Sequence, residues 1–255
     1  MNAVIVTGAS RGLGAAIAEQ FMDRGFAVIT VARRENEPLK QKAQKLKLSY
    51  AHLTCDLSQF DGQQDLTRQL KPTLDKMGDL EALYVVNNAG VVEPVERVGK
   101  MSPLEMKRLI DINVLAPMVL TNHLVQLFPT TPLMIVNVTS GAAQHARHGW
   151  SAYSSSKAAL NVFTETAALE SKATGAPHTF IAYNPGIMDT DMQGVIRSSD
   201  SQAFQDVERF QEFKEKGMLR SPERVARALV SLVLDNRDIK NGQIYDVNDL
   251  LKGNA

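Results

Sequence analysis

The chain is poor in cysteine, in unbalanced charge and in long apolar runs, and each shortage removes a class of protein. One cysteine, Cys55, in 255 residues closes no intrachain disulfide and supplies no set of soft ligands, so a disulfide-stapled scaffold and a structural zinc site are both excluded. A reducing cytoplasm fits this usage, and no metal is expected. Lys and Arg number 28 against 28 Asp and Glu, so no global positive field exists to gather nucleic acid or an anionic membrane surface. No stretch approaches the roughly 18 apolar residues of a membrane span. The start, Met1-Asn2-Ala3-Val4-Ile5-Val6-Thr7-Gly8, has only four consecutive apolar residues and no basic lead, unlike an export signal. Nor is there a Gly/Ser/Pro-rich linker, a low-complexity tract or an internal repeat, so a single domain is expected from end to end.

What is present is alternation. Short β-branched runs at 3–7, 27–31, 49–54, 82–87, 133–139, 178–183 and 243–247 read as strands. Several are apolar nearly throughout instead of alternating, as strands of a parallel sheet buried on both faces must be. Between them, 12–24, 38–46, 60–77, 103–128, 150–174 and 222–235 carry apolar residues three and four apart and read as helices. Strand and helix repeated in this way predict an α/β Rossmann fold: a doubly wound, seven-stranded parallel sheet with helices on both faces. The segment 186–217 departs from the pattern, being long, polar and without a strand. It lies where ligands bind in such folds, beyond the carboxyl ends of the strands, and is read as a substrate lid.

Directly after the first strand comes Thr7-Gly8-Ala9-Ser10-Arg11-Gly12-Leu13-Gly14, and then a helical run. Glycines let a backbone turn sharply and approach a ligand, while the free N–H groups of a helix start favour a pyrophosphate. The spacing departs from the G-x-G-x-x-G fingerprint of dinucleotide sites, because Ile17 stands where the third glycine would be.

In that departure the sequence resembles the short-chain dehydrogenases/reductases, whose first turn reads T-G-x-x-x-G-x-G. Asn87-Asn88-Ala89-Gly90 resembles the N-N-A-G of that family, and Tyr153-Ser154-Ser155-Ser156-Lys157 its Y-x-x-x-K. Asn113, Ser140 and Pro185-Gly186 match in order as well, so the resemblance spans nearly the whole chain. It implies a nicotinamide cofactor held by Gly8, Ser10, Arg11, Gly12, Leu13, Gly14, Asp56, Leu57, Asn88, Ala89, Gly90, Pro185, Gly186, Ile187 and Thr190, together with Asn113, Tyr153 and Lys157. After the second strand stands Ala32-Arg33-Arg34, with no acid before Glu35. An NAD site usually has an acid there for the ribose hydroxyls, whereas a basic residue accommodates a 2′-phosphate. Arg33, and Arg11 within the turn, therefore point to NADPH.

Tyr153 and Lys157 are four apart on a helix and share one face. Lowering a phenol from a pKa of about 10 by about 3 units takes roughly 4 kcal/mol. An ammonium about 4 Å away supplies roughly 4 kcal/mol at an effective dielectric near 20. The resemblance implies that Tyr153 protonates the substrate carbonyl oxygen, Ser140 hydrogen-bonds that oxygen, Lys157 binds the nicotinamide ribose and Asn113 holds a water linking Lys157 to solvent.

The segment Asp189-Thr190-Asp191-Met192-Gln193 is similar to one in the sepiapterin reductase and benzil reductase branch of the family. That branch implies an aromatic vicinal diketone as substrate, reduced at one carbonyl to a benzoin-type hydroxy ketone, with a pterin side chain as the alternative. Met188, Met192 and Trp150 are candidate substrate contacts. Asp246 is either a substrate anchor or a structural residue of the last strand. His145 and His148 match no metal-site spacing. Cys55 reads as a small buried residue. A reading of another class, a nicotinamide-sensing module without turnover, is disfavoured by the retained Tyr153, Lys157, Ser140 and Asn113. The family commonly pairs through its long helices, so the resemblance also implies a homodimer.

Overall fold

The computed structural model describes residues 1–236 and 238–252. Strands β1 (Asn2–Thr7), β2 (Ala27–Ala32), β3 (Tyr50–Thr54), β4 (Ala82–Asn87), β5 (Leu133–Val138), β6 (His178–Asn184) and β7 (Ile244–Asp246) form one sheet in the order β3-β2-β1-β4-β5-β6-β7. Every pairing is parallel, as the unbroken apolar runs require.

Side chains alternate between two cores. Val4, Val6, Val86, Val136 and Ile181 pack under helices α1 (Gly12–Asp23), α2 (Glu37–Leu46) and α9 (Pro222–Asp235). Ala3, Ile5, Val85, Ile135 and Phe180 face α3 (Phe60–Met77), α5 (Ala116–Leu127) and α6 (Ser151–Thr174). Each fully buried Val, Leu or Ile contributes about 1.5–3 kcal/mol. No helix among the described residues is long and apolar enough to cross a membrane.

Three features differ from the sequence reading. The helix expected at 103–128 is α4 (Pro103–Ile110) and α5, joined by a π turn at Asp111–Leu115. Residues 247–252 form a final helix, α10 (Val247–Lys252), which shortens the last strand. The segment 186–217 is not a bare polar connection but carries α7 (Asp191–Arg197) and α8 (Val207–Glu215). Its Ile196, Phe204, Val207 and Phe210 are buried against Trp150 and Tyr153 in a third core, so its polar composition hid a small apolar face.

Strand order reverses at β1, whose neighbours β2 and β4 lead to opposite ends of the sheet. The chain leaves β1 and β4 side by side there, which opens the crevice where such sheets bind ligands.

Candidate active site

The glycine-rich turn sits at this switch point and is tied to the end of β4. Thr7 Oγ1 accepts from Asn88 N and Ala89 N, both at 3.0 Å, and Asn88 Nδ2 donates to Thr7 O at 2.9 Å. The Asn88 amide therefore braces the turn from beneath. Gly14 admits no side chain, since a Cβ there would stand 2.4 Å from Gly8 O and 2.5 Å from Asn88 Nδ2. Gly8 and Gly12 take φ of +69° and +56°, which L side chains rarely adopt. Arg11 precedes helix α1 without capping it through its side chain, so the first N–H groups of the helix stay available to an anion. A turn with glycine at its three tightest points, ending in open helix donors, fits a dinucleotide pyrophosphate.

Arg33 is exposed and has no ion-pair partner among the described residues, whereas Glu35 is held by Lys40 at 3.0 Å. Asp56 accepts from the Ser58 backbone at 3.0 Å, which holds its carboxyl below the usual range, with Arg33 adding in the same direction. Leu13 and Leu57 are buried on opposite faces of the sheet, Leu13 in the core under α1 and Leu57 in the core under α3.

Tyr153, Lys157, Ser140 and Asn113 come together at the carboxyl ends of β4 and β5. The approach is close because Gly90 lies between: a Cβ there would meet Asn113 Oδ1 at 3.4 Å and Lys157 Nζ at 3.5 Å. Asn113 occupies the π turn, a feature that often marks functional sites. Fully buried, it accepts from Val91 N at 2.9 Å and donates to Val91 O at 2.9 Å and Ser156 Oγ at 3.1 Å. Lys157 Nζ donates to Val138 O at 2.8 Å. Burial lowers the lysine to about 8. Burial raises the Tyr153 phenol, and the Ser140 hydroxyl beside it offsets only part of that rise. The expected lowering of Tyr153 by its lysine is absent from this arrangement, because removal from water penalises both charged forms.

The loop leading into α6 supplies the other wall. Trp150 stacks on Phe204 at 4.8 Å and meets Tyr153 edge-on at 5.4 Å. Arg147 bridges to Asp206 at 2.5 Å, and Gly149 admits no Cβ against Ala203 O, so the 186–217 segment is fitted closely to this loop. Met192 joins the Trp150 cluster, whereas Met188 packs into the core under α9. Ile187 O accepts from Arg220 N at 3.2 Å. Gly186 turns at φ +66° just after Pro185, and its N–H donates to Asn184 Oδ1 at 3.1 Å. Asp246 is engaged on both oxygens, by Asn184 Nδ2 at 2.6 Å and by the backbone and amide of Asn248 at 2.7 Å. No metal-binding group of His, Cys, Asp and Glu exists among the described residues. His145 is exposed and His148 half-buried. The Cys55 thiol donates to Gly62 O at 3.3 Å and is pushed up to about 11 by burial.

Two residues of the site were not singled out from sequence. Ser156 links Asn113 to the Tyr153 carbonyl, to which its hydroxyl donates at 2.7 Å. Asn36 caps α2 and donates to Ser10 O at 2.9 Å, fixing the glycine turn against the end of β2. Asn36-Glu37-Pro38 was a legible cap signal.

Residues 2–201 match the family model described as short chain dehydrogenase. The chain is 37% identical over 98% of its length to all of a benzil reductase ((S)-benzoin forming) of Bacillus subtilis. It is 30% identical to the sepiapterin reductase of Bos taurus, covering 96% of this chain and 95% of that one. Among solved structures, a short-chain dehydrogenase/reductase of Saccharomyces cerevisiae superposes with a TM-score of 0.84 at 31% identity, covering 99% of both chains.

Proposed function

Since this chain belongs to the short-chain dehydrogenase/reductase family, we propose that it is an NADPH-dependent carbonyl reductase acting on one carbonyl of aromatic vicinal diketones, with benzil to (S)-benzoin as the pattern. The observation that carries this reading is the cluster at the ends of β4 and β5, where Tyr153, Ser140, Lys157 and Asn113 meet beside the glycine turn. The full-length likeness to benzil reductases supports the substrate class.

When bound, the nicotinamide supplies the hydride. Gly8, Ser10, Gly12 and Gly14 cradle the pyrophosphate at the start of α1, and Arg33 and Arg11 take the 2′-phosphate. Asp56, Leu57, Asn88, Ala89 and Gly90 shape the adenosine side; Pro185, Gly186, Ile187 and Thr190 hold the carboxamide end. Lys157 takes the nicotinamide ribose. Ser140 donates to the substrate carbonyl oxygen, and Tyr153 Oη protonates it as the alkoxide develops. Asn113 keeps Val91 and α6 in register around Lys157, so that the proton lost by Tyr153 is replaced through the lysine. Trp150 and Met192 form the wall for an aryl ring, and the 186–217 segment excludes water as a lid. Exposed Val162 and Leu169, seven apart on α6, with Leu104 and Ile110 on α4, support pairing of two copies through these helices.

The test is the initial rate of NADPH and NADH consumption by the purified protein with benzil and sepiapterin in parallel, followed by chiral analysis of the product. Fast NADPH-dependent loss with benzil, giving one benzoin enantiomer, is expected. Turnover of neither compound would send the search to other carbonyls.

A further inference from the structure

Two carboxylates flank Thr190 and are held from opposite sides. Asp189 accepts from Lys214 Nζ at 2.5 Å, and its N–H donates to Arg220 O at 3.0 Å, which fixes it to the end of α8 and the approach to α9. Asp191, the first residue of α7, forms an ion pair with Arg11, the residue that opens α1 in the glycine turn. Between the two, Thr190 closes on the turn itself, since a Cβ on Gly12 would stand 3.7 Å from Thr190 Cγ2. Helix α7 is thus seated on the cofactor cradle, with Arg11 as its charged tie. Both partners are largely exposed, at 73% and 65% of their side chains, so exchanging one anion for another carries little desolvation cost.

We infer that the Arg11–Asp191 pair is a latch opened by the cofactor's adenosine 2′-phosphate, which draws Arg11 away and frees the first turn of α7. The inference rests on the NADPH reading above. A phosphate offers more charge than a carboxylate and accepts paired bonds from the planar guanidinium, so the exchange favours it. A ligand lacking that phosphate gains nothing by breaking the pair and leaves α7 tied. Asp191 is therefore a specificity-determining residue: it competes with the 2′-phosphate for Arg11 and couples cofactor identity to the lid. The coupling is reciprocal, so the factor by which Asp191 weakens phosphate binding equals the factor by which the phosphate loosens α7. An exposed pair limits that factor to about 2-fold to 5-fold.

The experiment measures calorimetric affinities of adenosine 2′,5′-bisphosphate and 5′-AMP for the full chain, Asp191→Asn, Arg11→Gln and the double variant at low ionic strength. Hydrogen exchange of residues 191–197 is followed with each ligand. Expected are a 2-fold to 5-fold tightening of the bisphosphate in Asp191→Asn with 5′-AMP unchanged, and no such tightening in the Arg11→Gln background. Exchange in α7 is expected to quicken with the bisphosphate alone. Equal tightening of both ligands by Asp191→Asn, persistence of its effect without Arg11, or unchanged exchange in α7 would each overturn the latch. Equal affinity of the unaltered protein for the two ligands would instead overturn the NADPH reading itself.

Discussion

Asn113 donates to Ser156 Oγ at 3.1 Å, and Ser156 donates onward to the Tyr153 carbonyl at 2.7 Å, so the π turn is bonded directly to the first turns of α6. A buried donor stripped of its partner costs about 1–3 kcal/mol. Ser156→Ala removes one acceptor of the Asn113 amide, which keeps Val91 O. Asn113→Ala strips Val91 N, Val91 O and Ser156 together. Both variants are expected to melt lower, with Asn113→Ala losing more in Tm and in kcat. Equal losses in the two would show that the π turn holds its shape without the amide.

Lys157 is buried as an ammonium at a cost. Its folded pKa of about 8 lies below the ordinary 10.5, which amounts to about 3 kcal/mol of strain on the charged form, only partly offset by its bond to Val138 O. A lysine lowered on folding binds its proton better when unfolded. The penalty is therefore complete below pH 8 and is relieved as pH rises towards 10.5. Lys157→Met is expected to abolish reductase activity while comparing best with the parent in Tm at pH 7, and to lose that relative advantage by pH 10. A Tm difference that does not move with pH would refute the buried-charge account.

Two glycines within helices predict opposite signs. Gly14 is pressed between Gly8 O and the Asn88 amide, so Gly14→Ala forces the turn apart. Gly194, inside α7, has nothing within 4 Å of a prospective Cβ. Gly194→Ala is expected to raise stability by about 0.5–1 kcal/mol through helix propensity and unfolded-state entropy. Gly14→Ala is expected to lower Tm and weaken binding of the cofactor. Thermal melts and cofactor titration of the two variants check both signs.

These contrasts show which parts of the molecule sequence could reveal. β1 and β5 are buried on both faces, so their nearly continuous apolar runs announced a parallel sheet, and the order of motifs placed Gly8, Asn88, Ser140 and Tyr153 at its carboxyl edge. The π turn left no such trace, because one inserted residue at 111–115 hardly disturbs the apolar spacing of the helices around it. Phe204 and Phe210 belong to helices and turns too short to show a period, and their burial depends on Trp150, more than fifty residues earlier in the chain. The pairing of Arg11 with Asp191 is a meeting of two helix starts far apart in the chain, which local spacing does not encode.

His178 sits buried in β6 with both ring nitrogens unpartnered, and burial lowers its pKa from 6.5. The unfolded chain binds that proton more readily, so stability holds above about pH 6.5 and declines as pH falls below it. His52, also lowered by burial, slopes the same way. His178→Leu is expected to flatten part of the fall in Tm between pH 7 and pH 5. A fall as steep as in the parent would place the acid sensitivity elsewhere.

Asp246 separates a structural from a substrate role. Its carboxylate joins Asn184, and through it Gly186, to Asn248, whose side-chain oxygen accepts from Arg220 at 2.5 Å. β7 has only three residues, paired to β6 with Asn184 opposite Asp246, so this cluster carries much of the sheet's last pairing. Asn184 also stands beside Gly141, within 3.5 Å of a Cβ placed there, and so borders the Ser140 corner. Asp246→Asn replaces an acceptor of three bonds by an amide that accepts on one side only, at a cost of about 1–3 kcal/mol. A lower Tm and an equal loss of kcat/KM for benzil and sepiapterin are the expected result, because the damage reaches the site through Asn184 and Gly186. A loss confined to sepiapterin, with Tm unchanged, would instead make Asp246 a direct contact for the pterin ring.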